Sequence, residues 1–201
     1  MATATASGHG AANPVTFIRG TTATMLLWPE NSIPSTFTIC SVTRYTGGTR
    51  KRILTCDGSP SQSSNWLHGH YSSSRGRAHY GDAGGWQSSG WYNGAVDDWL
   101  VMCGTIAGAA PPGNFIVDQN EIGTDDDGTG SCRLNIGYNE PSDWAVHSLF
   151  IWDYSLGTVP TLWRTSATLL QVLCTWLVPW CDSGMRGTVV PGQGGWGRRY
   201  S

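Results

Sequence analysis

The sequence predicts an all-β protein, a two-sheet antiparallel sandwich of jelly-roll type, and three observations lead there. Glycine reaches 27 and tryptophan 11 of 201 residues, whereas only 13% are charged, a balance that suits turn-rich β architecture better than a helical bundle. Short β-type segments recur at a spacing of about 8 to 15 residues between Gly, Pro, Ser and Asp clusters. A chain of this length can bury one sizeable core, and β-sandwiches of this size run as single domains.

The segments follow in order. The Ala/Thr-rich opening, residues 1–13, reads as a flexible arm able to accept O-linked sugar. "TATMLLW" and, after the turn "PENSIPS", "TFTICSVTRY" are the first strands of the body. "TGGT" is expected to close a hairpin onto "RKRILTC", and "NWLHGHY" and "GRAHYGD" to form a second one across "SSSR". "DDWLVMCGTIAG", "GNFIVDQNEIG", "SCRLNIG" and "SDWAVHSLFIWDYSL" add further strands, for eight or nine in about 140 residues. The sandwich therefore spans 14–156. The extension 157–201 starts with apolar residues near helical spacing, Leu162, Leu169, Val172 and Leu173, and ends in a Gly-rich tail. In that tail Trp196, Arg198, Arg199 and Tyr200 suit a partner groove and are the candidate assembly residues.

Six cysteines, Cys40, Cys56, Cys103, Cys132, Cys174 and Cys181, form an even set with no CxxC pair, which favours disulfides and an oxidising, extracellular or cell-surface compartment. Fifteen connectivities are open; Cys174 with Cys181, around a Pro bend, is the preferred pair. The first twenty residues show no basic stretch followed by an apolar run, so a leader is not expected within them. No stretch of about 18 apolar residues offers a membrane span. A net charge of -2 provides no field for nucleic acid.

The chemistry concentrates in "NWLHGHYSSSRGRAHYGDAGGW". Trp66, Tyr80 and Trp86 can stack on pyranose faces while His68, His70, Arg75, Arg77 and His79 donate to hydroxyls, and these eight are the candidate carbohydrate-binding residues. A hairpin turning between Ser74 and Arg75 would set His70 opposite His79 and bring three imidazoles together, so zinc is weighed beside sugar and beside plain packing. Asp125, Asp126 and Asp127 are weak candidates for calcium, because three consecutive carboxylates cannot all point inward. No metal or other cofactor is expected. Catalytic residues are expected to be none. Glu30, Glu121 and Glu140 are the only glutamates, and none lies in the Glu-x-Asp-x-x-Glu arrangement that hydrolysis of a glycosidic bond on such a strand would use.

In the order "STFTICSVTRYTG", "NWLHGHY", "GNFIVDQNEIG" and "SDWAVHSLFIWDYSL" the chain resembles the concanavalin A-like lectin and glucanase superfamily, specifically the laminin G-like jelly-roll domains of microalgal extracellular proteins. The resemblance covers roughly Pro14 to Leu156. It implies two facing antiparallel sheets, extracellular placement and association with glycan or matrix. The expected function is a non-enzymatic, lectin-like module, a glycoprotein serving as structural subunit of a glycan-containing fibre. A soluble monomeric lectin and, remotely, a laminarinase-type glycoside hydrolase are the alternatives. Its expected partners are polysaccharide and further copies of itself.

Overall fold

A computed structural model describes residues 1–57, 65–81, 87–88, 95–107, 114–118, 120–123 and 131–156. Among them are thirteen strands and no helix: β1 (Ala2–Gly8), β2 (Ala11–Gly20), β3 (Leu26–Leu27), β4 (Thr36–Tyr45), β5 (Leu54–Asp57), β6 (Trp66–Tyr71), β7 (Ser74–Tyr80), β8 (Gln87–Ser88), β9 (Leu100–Ala107), β10 (Phe115–Val117), β11 (Asn120–Gly123), β12 (Arg133–Ile136) and β13 (Trp144–Trp152). They form two antiparallel sheets, a first of order β1-β2-β13-β4-β9-β10-β11 and a second of order β3-β12-β5-β6-β7-β8. The expected all-β, two-sheet sandwich is the observed one. The expected helix, Cys174, Cys181 and the assembly residues Trp196, Arg198, Arg199 and Tyr200 lie outside the described residues.

Facing side chains of the two sheets form the main core. Phe37, Ile39, Leu100, Met102 and Ile106 from the first sheet meet Leu54, Trp66, Ala78, Tyr80 and Leu134 from the second, all buried. Rings organise the contact: Phe37 sits edge-on to Tyr80, centroids 5.3 Å apart at 90°, and Trp66 lies 5.5 Å from Tyr80. The Tyr80 hydroxyl rests directly on the backbone of Gly104 in β9, where a Cβ would overlap it. At that position the need is for space.

A second, smaller core covers the other face of the first sheet. β2 pairs with β13 over three residues only, Ile18, Arg19 and Gly20, after which the β1–β2 ribbon folds across the sheet. Its tip is tied down by the Trp99 N–H donating to the His9 carbonyl at 2.9 Å. Val15 and Phe17 are buried against Cys40, Val42, Trp99 and Val101, with Ala4, Ala6 and Ala11 packed alongside. The Arg44 guanidinium lies 5.5 Å from the Phe17 ring and 5.3 Å from Trp99, a cation on two aromatic faces. Residues 1–13, expected as a flexible arm, are thus mostly strand. Alternation of Ala and Thr lets the small methyls face the sheet while Thr3 and Thr5 face water.

"TGGT" likewise does not close a hairpin. β4 belongs to the first sheet and β5 to the second, so the connection crosses between layers, held by Asp143, whose Oδ2 accepts from the Thr49 N–H at 3.1 Å and whose carbonyl accepts from Thr46. Among the described residues two disulfides brace the sandwich, one within each sheet. Cys40–Cys103 joins directly opposed residues of β4 and β9, and Cys56–Cys132 joins β5 to the segment entering β12.

Two measurements check this packing. Gly104→Ala should destabilise the fold by roughly 1–3 kcal/mol through overpacking, and Tyr80→Phe in the same chain should recover part of the loss by vacating the hydroxyl's space; urea unfolding of the two single variants and the double gives the coupling, and strict additivity would contradict the contact. Replacing Cys56 and Cys132 by Ala should cost about 2–4 kcal/mol, the usual effect of opening a long loop, read as a shift of the same unfolding midpoint.

Candidate functional site

The histidine hairpin is part of the interior. Trp66, His68, His70, Arg75, His79 and Tyr80 are all buried, Arg77 is half-buried, and Trp86 lies outside the described residues. β6 is covered on both faces. Trp66 and His68 pair with Tyr80 and Ala78 in the main core, while the opposite face carries the row Asn135, Thr55, Leu67 and His79, also buried.

The three imidazoles do not converge. The hairpin turns at Ser72 and Ser73, both with positive φ (46° and 64°), two residues before the expected place. A register shift after Gly69, with Gly76 as the extra residue, then sets His70 opposite Arg75 and His79 opposite Leu67. Among the described residues no three His, Cys, Asp or Glu side chains are grouped to hold a metal. Asp125, Asp126 and Asp127 fall outside those residues.

Most of the hairpin's buried polar side chains bond to neighbouring strands, although Trp66 Nε1 and His70 Nε2 are buried without a hydrogen-bond partner among the described residues. His68 Nε2–H donates to the Met102 carbonyl at 3.3 Å, which leaves Nδ1 to accept from the Tyr80 hydroxyl at 2.7 Å. His70 Nδ1 is 3.2 Å from Thr43 Oγ1, and its ring stands edge-on to Tyr45 at 4.8 Å. Arg75 donates to the Trp99 carbonyl (2.6 Å), the Ala95 carbonyl (3.1 Å) and Asp118 Oδ2 (2.7 Å), and Asp118 Oδ1 accepts from the Val101 N–H at 2.8 Å. These groups join β6 and β7 to β9 and β10. Burial holds the His68 imidazole down to about pKa 4, and burial beside the Arg75 cation pushes His70 far below the ordinary histidine range.

The exposed aromatic surface is elsewhere, on the last strand. A register shift between Val146 and Ser148 changes which side chains of β13 face the core. Trp144 and Val146 point inward before it. Leu149 and Ile151 do so after it, leaving Phe150 and Trp152 on the outer face above Cys40 and the disulfide to Cys103. Tyr154 follows in the bend just after the strand. Phe150 is 37% and Tyr154 48% exposed, Trp152 is half-buried, and the Phe150 and Trp152 rings are stacked with centroids 6.1 Å apart and planes within 24°.

The backbone below Tyr154 is anchored. Thr38 Oγ1 donates to the Tyr154 carbonyl at 2.9 Å and accepts from the Leu156 N–H at 3.0 Å, while Thr105 Oγ1 is 2.9 Å from Ser155 Oγ. At the other end the strand meets the fork left by the departing ribbon, where His147 Nδ1–H donates to the Thr16 carbonyl at 2.7 Å. Stacked, partly wet rings on fixed backbone suit the apolar faces of sugar rings. The carbohydrate-binding residues expected on the hairpin are buried or half-buried where described, whereas this more exposed aromatic pair carries its own signal in the sequence, "FIWDY", with an aromatic at every second residue.

No family model matches the chain, and no curated protein matches it. Among solved structures, domain 4 of AbnA, an extracellular GH43 arabinanase from Geobacillus stearothermophilus, in complex with arabinotriose, is similar over 77% of either chain, at 11% identity and a TM-score of 0.46. That likeness is too slight to carry an argument. The resemblance to concanavalin A-like domains accordingly rests on the order of the sequence motifs.

The neutral histidines predict a pH dependence. Unfolded histidine gains its proton below about pH 6.5, whereas folded His68 resists it until about 4. Stability is therefore intact above 6.5 and falls as the pH drops toward 4, by roughly 3 kcal/mol for His68 alone, with His70 adding in the same direction. Urea midpoints measured across this interval should fall steadily; a flat profile would exclude buried neutral imidazoles.

Proposed function

We propose that the protein is a non-enzymatic, extracellular carbohydrate-binding module of lectin type, with its ligand lying along Phe150, Trp152 and Tyr154. The observation that carries this reading is the pair of stacked, partly exposed rings Phe150 and Trp152 at the end of one strand of a disulfide-braced sheet, followed by the exposed Tyr154 in the bend just beyond it. Solvent-facing rings of this kind leave apolar surface to be covered, and sugar CH faces cover it while hydroxyls stay in water. The two disulfides support an oxidising location.

Several carboxylates have tasks in the fold, which supports a binding role over hydrolysis. Asp118 is tied to Arg75 and the Val101 N–H, Glu140 is paired with Arg52, and Asp143 anchors the loop at Thr49. The finer role we propose is that of a subunit in a glycan-containing surface fibre or matrix. Negative-stain microscopy of natively isolated protein tests it, with regular filaments expected and dispersed particles returning the case to a monomeric lectin.

Binding is tested by gel retardation on a panel of neutral and acidic polysaccharides. Phe150→Ala and Tyr154→Ala, at exposed positions, should each weaken retardation by a retained polysaccharide on the order of tenfold, with unfolding midpoints little changed. If no polysaccharide retards the protein, or both variants bind as the parent does, the reading fails.

A further inference from the structure

We propose that the free edge of β1 is a self-pairing surface through which two copies of this chain join their first sheets into one continuous sheet. The four sheet ends differ in what they offer. β3 and β8 have two residues each, and β11 has four including Glu121, whereas β1 has seven. β1 pairs with β2 on one side. On the other side its outward N–H and C=O groups meet no described residue, since β1 closes the strand order.

Exposed edges are usually guarded by a charge, a proline or a bulge. "ATATA", Ala2 to Ala6, has none of these; its one register irregularity lies beyond, between Ala6 and Gly8. The partner is identified by the edge's own pattern. Ala-Thr-Ala-Thr-Ala reads the same in both directions, so antiparallel pairing about Ala4 sets Ala2 against Ala6, Ala4 against Ala4 and Thr3 against Thr5 of the second copy. Every alanine then meets an alanine on the face turned toward the smaller core, and every threonine a threonine on the water side. No charge opposes the approach. The contact is isologous and closed, so it gives a dimer with a fourteen-stranded sheet, seven strands from each copy. A fibre would need a different second contact.

This inference goes beyond the glycan reading and does not depend on it, because the edge is main chain and the aromatic row is side chain on another strand. The test is sedimentation of the full chain over a concentration series. The unaltered protein should show a monomer–dimer equilibrium. The double variant Thr3→Lys with Thr5→Lys sets lysine against lysine twice and should raise the dimer Kd roughly tenfold or more. Thr3→Glu with Thr5→Lys sets glutamate against lysine twice and should restore the dimer, which also shows that changes at these exposed positions leave the strand folded. A protein that is monomeric at every concentration, or a dimer that neither double variant alters, would overturn the proposal. Polysaccharide retardation is read on monomer and dimer alike, so failure of the one reading is distinguishable from failure of the other.

Discussion

The structure depends on one contact between the sheets, the Tyr80 hydroxyl lying against Gly104 while it donates to His68. Phe37, Trp66 and Tyr80 bring the layers together, but a phenol between them carries a polar atom that must be satisfied in a water-free space. His68 satisfies it and passes its other nitrogen to the Met102 carbonyl of β9. The second sheet is thereby joined to the first by a directional chain as well as by apolar area. Apolar packing alone would tolerate sliding of one sheet over the other; hydrogen bonds of fixed geometry through a neutral imidazole do not.

Arg75 performs the same service nearer the sheet edge. Its three bonds to the Trp99 carbonyl, the Ala95 carbonyl and Asp118 collect the start of β9 and the end of β10 around one guanidinium. A buried ion pair adds little net stability against an apolar substitute, but the loss of one partner leaves a charge stranded. Polar residues that look like a ligand surface in the sequence are here the register pins of the sandwich.

That is also why the sequence was legible for the fold and much less so for the site. The pattern of short apolar segments separated by turn residues gave the all-β class, and "TFTICSVTRY" coincides with β4 residue for residue. Residues that pair far along the chain were harder to place. Serine is a weak signal for positive φ, so nothing local distinguishes a turn at Ser72–Ser73 from one two residues later, and that choice decides which histidine faces which. Burial on both faces of β6 comes from tertiary packing. Histidine is read as exposed by default, and only neighbours such as Leu67, Trp66 and Ala78 on paired positions indicate otherwise. The Ala/Thr opening lacks the hydrophobicity expected of a strand because β1 lies at the margin of the second core, to which it contributes only the methyls of Ala4 and Ala6, while Val15 and Phe17 of β2 fill the rest.

The placement of the aromatic row follows from the departure of the β1–β2 ribbon. Had β2 continued beside β13 beyond Val146, the sheet would have presented an unbroken face; the register shift and the His147–Thr16 bond mark where it turns away. Folding across β4 and β9, the ribbon covers Val42, Trp99 and Val101 and leaves the far end of β13 uncovered. The shift changes the facing of the strand at that same point. Without it, Leu149 and Ile151 would point to water, and Phe150 and Trp152 would crowd the main core. One irregularity in one strand thus separates the covered part of this face from its open part, and gives the open part its rings.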